Sequence, residues 1–217
     1  MDLEPRQPPN FTSTYSVVLD HPLEIVFGII GTEDGAERVT RLSKLCTDFK
    51  LLQRDEVSIP EGRALADSHV RGLPSAPSTT QGDIPLSEPT RALPRRFFEL
   101  QETVPILFGA FKQNVHLHGT LTWDTAARTA LYETHSDAMG IDVWKLRMFE
   151  EVVEPASHDG HAGGGGEGNT KASDLPKKRT RVTERIEGNC PSWVRLIVQQ
   201  QTTKGHRLHM ETYHTLF

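Results

Sequence analysis

Hydrophobic and polar residues alternate along most of this chain, which is typical of β-strands with one buried face. Stretches that alternate, or that are rich in β-branched and aromatic residues, predict seven strands, at residues 11–18, 49–57, 97–104, 114–123, 129–136, 141–153 and 179–187. Helical spacing of apolar residues predicts two short helices after the first strand, over about 20–30 and 34–45, and a long helix from Pro191 onward.

This order of elements predicts an α+β domain. Short turns between most successive strands imply an antiparallel sheet, because parallel neighbours need long crossover connections. We expect the C-terminal helix to cover one face of the sheet and the other face to lie in water.

The composition adds two long loops to this picture. Only 36% of the 217 residues are hydrophobic, which is low for a compact domain. Two stretches account for the dilution: residues 58–95 contain six prolines, and residues 154–178 contain four consecutive glycines. We predict disordered loops at both places, because neither can repay the entropy of ordering. The rest of residues 1–217 fits one domain.

Charge and cysteine content exclude several classes of protein. A net charge of −5 argues against nucleic-acid binding, and no apolar run reaches the roughly 18–20 residues that span a bilayer. The N-terminus lacks the basic start and apolar core of a secretory signal. Two cysteines are too few for a disulfide scaffold or a cysteine-built zinc site. We therefore expect a cytoplasmic protein without a cofactor or transmembrane segment.

Three segments resemble a known superfamily. They are residues 96–106 (RFFELQETVPI), residues 119–124 (GTLTWD), and residues 182–188 (VTERIEG) with the C-terminal end 213–217 (YHTLF). Together with the element order they resemble the START-like (SRPBCC) superfamily, and most closely a fungal family of uncharacterised START-like proteins. The resemblance implies a helix-grip fold, in which a seven-stranded curved antiparallel sheet (β-α-α-β6-α) wraps around a long C-terminal helix. In that superfamily the sheet and the helix enclose a cavity for an apolar ligand.

The resemblance and the alternation together predict the lining of such a cavity. From the sheet we expect Val115, Leu117, Leu121, Trp123, Trp144, Leu146, Met148, Val182 and Ile186, and from the helix Trp193, Ile197, Gln201 and Leu208. The alternative is that these residues pack a solid core.

Glu184 is the most specific single candidate for a catalytic or ligand-binding residue. Alternation places it on the face of Val182 and Ile186, and a carboxylate facing an apolar cavity would have a raised pKa and could act as general acid or base. Tyr132, one strand over, could donate its hydroxyl into the same space. The alternatives are an ion pair of Glu184 with Arg147 or Lys145 inside the sheet, and a packing role for Tyr132.

Three functions therefore remain open. The first is binding of a hydrophobic small molecule, such as a lipid, sterol or polyketide-like metabolite. The second is an enzyme resembling polyketide cyclases or dehydrases, with Glu184 and Tyr132 as the catalytic pair. The third is an interaction protein with a filled cavity. The sequence does not fix the ligand, the presence of catalysis or the oligomeric state.

Two histidine-containing patterns carry less weight. His116 and His118 form an H-x-H pair that His135 could approach, but their face is opposite the apolar one, and we predict no metal site. The last helix has a basic side, which we expect to be solvated, with a phosphate-bearing partner as the alternative. Its members are Arg195, Lys204, His206, Arg207 and His209.

Overall fold

A computed structural model describes residues 8–76, 89–106, 111–136, 138–152 and 178–217 of the chain, with the backbone alone at 105, 106, 111 and 112. The strands are β1 (Phe11–Leu19), β2 (Cys46–Pro60), β3 (Thr90–Ile106), β4 (Phe111–Asp124), β5 (Thr129–Ser136), β6 (Ile141–Val152) and β7 (Arg179–Asn189). The helices are α1 (Leu23–Ile30), α2 (Ala36–Arg41) and α3 (Arg195–Glu211).

The seven strands form one antiparallel sheet in the order β1-β7-β6-β5-β4-β3-β2. The sheet is curved, two irregularities in register interrupt the pairing of β2 with β3, and the last helix lies at the C-terminus. The predicted α+β class and its β-α-α-β6-α order are thus confirmed, and the arrangement is consistent with a helix-grip fold.

The helices differ from their predicted bounds. A 3₁₀ turn at Glu33–Gly35 comes first, so α2 is shorter than expected. The α3 helix begins at Arg195, four residues after Pro191, and a further 3₁₀ turn, Tyr213–Leu216, follows it. Within the described residues, no helix is both long and apolar enough to cross a membrane.

The face of the sheet that carries the helices, called here the inner face, holds the main hydrophobic core. Phe98, Leu121 and Val182 from three strands pack there with apolar residues of α1 and α2. Phe98 lies over Gly119 on the next strand, where an added Cβ would stand 2.5 Å from the ring, so only glycine fits. A smaller cluster around Ile186 and Val194 packs at the other end of this face.

Part of the outer face is also covered, so the expectation of a wholly wet face is wrong. Residues 61–76, called here the covering segment, bury Leu65 and Val70 on this side of the sheet. Burying two such side chains contributes about 3–6 kcal/mol in transfer terms. Their apolar neighbours on the strands are Val57, Ile59, Leu93, Leu131 and Leu146.

The predicted disordered loop at residues 58–95 is therefore wrong at both ends. The β2 strand continues to Pro60, the covering segment packs on the sheet, and β3 begins at Thr90. Pro94 is tolerated inside β3 because the ladder with β4 begins one residue later, at Arg95 opposite Thr122. Residues 77–88 lie outside the described residues, as do 153–177, which include nearly all of the second predicted loop.

Candidate functional site

The pairing of β6, β7 and β1 places a group of ionisable side chains at the centre of the inner face. Glu184 of β7 lies opposite Arg147 of β6 on one side and Tyr15 of β1 on the other. Lys145, two residues before Arg147 on the same strand, faces the same way. We call Lys145, Arg147, Glu184, His206 and Tyr213 the inner charged cluster.

Glu184 is completely buried, and its two carboxylate oxygens have different surroundings. Its Oε2 accepts hydrogen bonds from Arg147 Nε and, over 3.0 Å, from the Tyr213 hydroxyl. Its Oε1 lies 3.2 Å from Nε2 of His206 and 3.9 Å from Nζ of Lys145. This arrangement is the ion pair inside the sheet that the sequence left as the alternative to a catalytic carboxylate.

These contacts determine the pKa of Glu184. Burial alone would raise the pKa of Glu184, but the charges of Arg147 and Lys145 outweigh it and hold that pKa well below the usual value. Glu184 is therefore an ionised carboxylate at neutral pH. A group that gives up its proton so readily and has no exposed surface is a poor general acid and a weak general base.

Arg147 owes its position to three elements. Besides the bond to Glu184, its NH1 donates to the Ile30 carbonyl at the end of α1 over 3.0 Å. The guanidinium also lies 4.6 Å from the ring centroid of Tyr132 and 5.5 Å from that of Tyr213. A buried guanidinium is tolerated when it is paired with a carboxylate and hydrogen-bonded in this way.

Tyr132, the second predicted catalytic residue, is on the inner face but packed. It is buried against Arg147 and Phe98, and burial raises the pKa of its hydroxyl. The placement matches the packing role given as its alternative.

Six of the nine predicted lining residues of the sheet share the inner face with Glu184. They are Val115, Leu117, Leu121, Trp123, Val182 and Ile186. The expectation that Trp144, Leu146 and Met148 join them is wrong: since Arg147 pairs with Glu184, the even-numbered residues of β6 face outward. There the covering segment buries Leu146. The ring centroid of Trp144 lies 4.7 Å from that of His69.

Outward placement of Trp144 and Leu146 also explains a small pocket. It has a volume of about 10 Å³, lies between the covering segment and the sheet, and includes both residues in its lining. One water molecule fills such a space. This pocket is on the opposite side of the sheet from Glu184.

Three of the four helix residues predicted to line the cavity face solvent instead. Trp193 is 79% exposed, Leu208 55% and Ile197 37%, whereas Gln201 is half-buried. The buried side of α3 carries His206 and Met210. The reason is that α3 packs mainly against β1, whose inward residues there include the polar Ser13 and Tyr15.

Two histidines of the predicted basic side are therefore not solvated. His206 is buried between Ser13 and Glu184, with its Nδ1 2.9 Å from the Ser13 hydroxyl. His209 donates from Nε2 to the Val39 carbonyl over 2.8 Å, and burial lowers its pKa to about 4. The sequence offered one signal for them: helical spacing places residues 206, 209, 210 and 213 on one side.

The H-x-H pair lies on the outer face, as its alternation predicts. His116 and His118 are exposed, and His118 Nδ1 stands 3.8 Å from Glu99. His135 is directly opposite His118 and contacts Asp142 at 2.8 Å. Among the described residues, no three histidine, cysteine, aspartate or glutamate side chains are grouped to hold a metal ion.

One region of the inner face is open. Leu100, Leu117 and Thr134 are half-buried although they point to the side on which the helices lie. Lys145, with 26% of its side chain exposed, borders this region, whereas Glu184 beside it has none. The region, which we call the inner opening, therefore contains two half-buried leucines and has a lysine at its border.

Comparison with protein-family models finds none that matches this chain, and comparison with curated proteins finds no match. The function is therefore argued from the site.

Proposed function

We propose that this protein binds a hydrophobic small molecule between the inner face of its sheet and helix α3. The sequence resemblance to START-like proteins implies such a ligand, and the helix-grip arrangement supplies two walls for it. The observation that carries the proposal is the inner opening, where Leu100 and Leu117 are only half-buried although they point to the side on which the helices lie.

Apolar surface that a ligand covers in the inner opening favours binding, and this contribution requires no metal or cofactor. Each leucine that a ligand covers contributes on the order of 1 kcal/mol for about 40 Å² of apolar surface removed from water. A ligand with a chain of several methylene groups would also bury its own surface, at about 0.8 kcal/mol for each buried group.

Acid–base catalysis by Glu184, the alternative function, is not supported by its surroundings. A catalytic role requires a carboxylate that reaches the open space without a neutralising contact, whereas Glu184 is enclosed by Arg147, Tyr213 and His206. The inner charged cluster instead lies beside the inner opening, which Lys145 borders.

Binding of the uncharged dye Nile red tests the proposal. We expect saturable fluorescence enhancement with one dye per chain, and loss of it in Leu117→Trp, because the larger ring fills the inner opening. His116→Trp is the matched control, since it adds the same ring one residue away on the exposed outer face.

Two results would contradict the proposal: no saturable binding by the unchanged protein, or equal binding by Leu117→Trp and the control. Native mass spectrometry of protein purified from its own host provides an independent check. There we expect an added mass that organic extraction removes and that Leu117→Trp lacks.

A further inference from the structure

We infer that Lys145 binds the anionic headgroup of the ligand, so that the ligand is an amphipathic carboxylate whose apolar part lies along Leu117. This inference rests on the proposed function, because it names the chemical class of the molecule in the same site. It follows from the position of Lys145, from the charges around it and from its exposure.

The position of Lys145 is the first argument. It lies opposite Tyr132 on one neighbouring strand and Ile186 on the other, so its side chain rises from the middle of the inner face. Its Nζ stands 5.8 Å from the Tyr132 ring centroid and 3.9 Å from Glu184 Oε1. The amine is therefore at the junction of the inner charged cluster and the inner opening.

The second argument is the charge of the cluster. Arg147 and Lys145 are two cations, and among the described residues Glu184 is the carboxylate that lies within 4 Å of both. Arg147 has the shorter contact, through a direct hydrogen bond, whereas the Nζ of Lys145 is too far from Glu184 for one. The ammonium thus keeps donors for another acceptor.

Other titratable groups face Lys145 and must be included. Glu102 of β3 points to the same side, and burial raises the pKa of its carboxyl while the charge of Lys145 acts against this rise. His206 and His209 face it from α3, and His209 is neutral above pH 5 because its pKa is about 4. With 26% of its side chain exposed, Lys145 remains partly accessible beside these groups.

The third argument is the cost of the present arrangement. Burial lowers the pKa of Lys145, so the charges of Glu184 and Glu102 compensate the ammonium only partly. A carboxylate placed in the inner opening would supply the missing acceptor. A charge-assisted hydrogen bond of this kind is worth roughly 1.5–3 kcal/mol, about a ten- to hundredfold gain in affinity over a neutral headgroup.

A pair of matched probes tests the inference. Dodecanoate and 1-dodecanol have the same chain and differ in the headgroup, and each is titrated at pH 7.4 against protein loaded with Nile red. We expect the unchanged protein to bind dodecanoate at least tenfold more tightly than dodecanol. The preference should disappear in Lys145→Met and persist in Lys145→Arg, which keeps the charge. Lys50→Met, an exposed lysine on β2, is the control and should keep it as well.

Each outcome decides one of the two proposals. Equal affinities in the unchanged protein, or a preference that survives Lys145→Met, overturn the headgroup assignment while Nile red binding still supports the proposed function. If neither Nile red nor either of the two probes binds, both proposals are overturned. Binding of dodecanoate in Lys145→Met at reduced affinity, equal to that of dodecanol, supports both and also shows that the variant is folded.

Discussion

At the scale of single residues, the molecule is organised by a charged pair that lies inside its hydrophobic core. Arg147 and Glu184 are 1% and 0% exposed, on adjacent strands and directly opposite each other. Desolvating both ions costs several kcal/mol each, and this cost is offset only while each remains paired. Loss of either ion should therefore lower the free energy of unfolding, because the other ion would remain buried without its partner.

We expect Glu184→Gln to destabilise the protein by about 3–5 kcal/mol, because it leaves the Arg147 guanidinium buried without a counter-charge. Urea unfolding followed by circular dichroism measures the difference. The control is Glu99→Gln, whose carboxylate is 49% exposed on the outer face and should cost less than about 0.5 kcal/mol.

An apolar replacement separates the charge effect from a general disturbance of the site. The double variant Arg147→Met with Glu184→Leu removes both ions, and it should be more stable than Glu184→Gln alone. Equal stability of Glu184→Gln and the unchanged protein would show that the buried pair contributes nothing.

His209 makes stability depend on pH in a defined window. Its pKa falls from 6.5 to about 4 in the folded protein because it is buried, and Lys145 and Arg147 act in the same direction while Glu184 opposes them. Between these two values the unfolded chain binds more protons than the folded one. The free energy of unfolding therefore falls as pH drops from 6.5 to 4, by on the order of 3 kcal/mol.

His209→Gln removes this titration while keeping a side-chain nitrogen that donates to the Val39 carbonyl. We expect a flatter stability profile between pH 6.5 and 4 in the variant, measured by urea unfolding at a series of pH values. Parallel losses in both proteins would assign the acid sensitivity in this window to other groups. Glu184 is not one of them, because its pKa lies well below the usual value and its contribution is lost only at more acidic pH.

At the scale of elements, two buried polar side chains attach the covering segment to the sheet. Glu133 of β5, 2% exposed, accepts from the backbone amides of Val70 over 3.0 Å and Arg71 over 2.8 Å. Arg95 of β3 pairs with Asp55 and donates to the backbone carbonyl of Leu73 over 2.9 Å. The segment contains one 3₁₀ turn, Leu65–Asp67, and is otherwise irregular. These hydrogen bonds therefore help to fix its backbone.

We expect Glu133→Ala to free the covering segment without unfolding the sheet. Hydrogen exchange at the amides of Val70 and Arg71 should accelerate at least tenfold, because each loses its side-chain acceptor. Exchange in the ladder of β1 with β7 should stay unchanged. Glu150→Ala is the control, since that carboxylate is 64% exposed. Uniform acceleration across the sheet would mean that the segment and the core unfold as one unit.

The elements also show what alternation can and cannot predict. Periodicity identified all seven strands, since each has a face that packs on the helices, and it placed Glu184 beside Val182. It failed on β6, where Trp144 and Leu146 are apolar but face outward, while Lys145 and Arg147 face inward. Because the covering segment buries part of the outer face, apolar character no longer marks the inner side.

Register explains the remaining misses. The strand pair that places Arg147 against Glu184 is joined by residues 153–178, and so long a connection carries no turn signal that fixes the pairing. For α3, Ile197 and Leu208 were predicted on the buried side, yet the buried side faces β1 and the inner charged cluster and is partly polar. Alternation offered the ion pair of Glu184 with Arg147 as one alternative, but no local pattern predicted that His206 and Tyr213 join it.

At the scale of the whole molecule, one sheet joins the two ends of the described chain. The first strand pairs with the last along nine residue pairs, from Phe11 opposite Gly188 to Leu19 opposite Thr180. Gln199 of α3 adds to this edge, with its amide donating to the Thr12 carbonyl over 2.7 Å and accepting from the Thr12 amide over 3.0 Å. The sheet edge formed by β1 is thereby partly covered by the C-terminal helix.

The last prediction concerns the connection between β6 and β7. The ladder ends at Val152 directly opposite Arg179, a geometry that a two-residue Asn-Gly turn can close. Replacing residues 153–178 by Asn-Gly should therefore preserve the fold and Nile red binding. Shortening the connection also reduces its closure entropy, by about 2 kcal/mol for a thirteenfold change in length, so thermal unfolding should shift upward by several degrees. A glycine-serine connection of the original length is the control and should leave the midpoint unchanged. A lower midpoint in both variants would show that residues 153–178 stabilise the domain through contacts of their own.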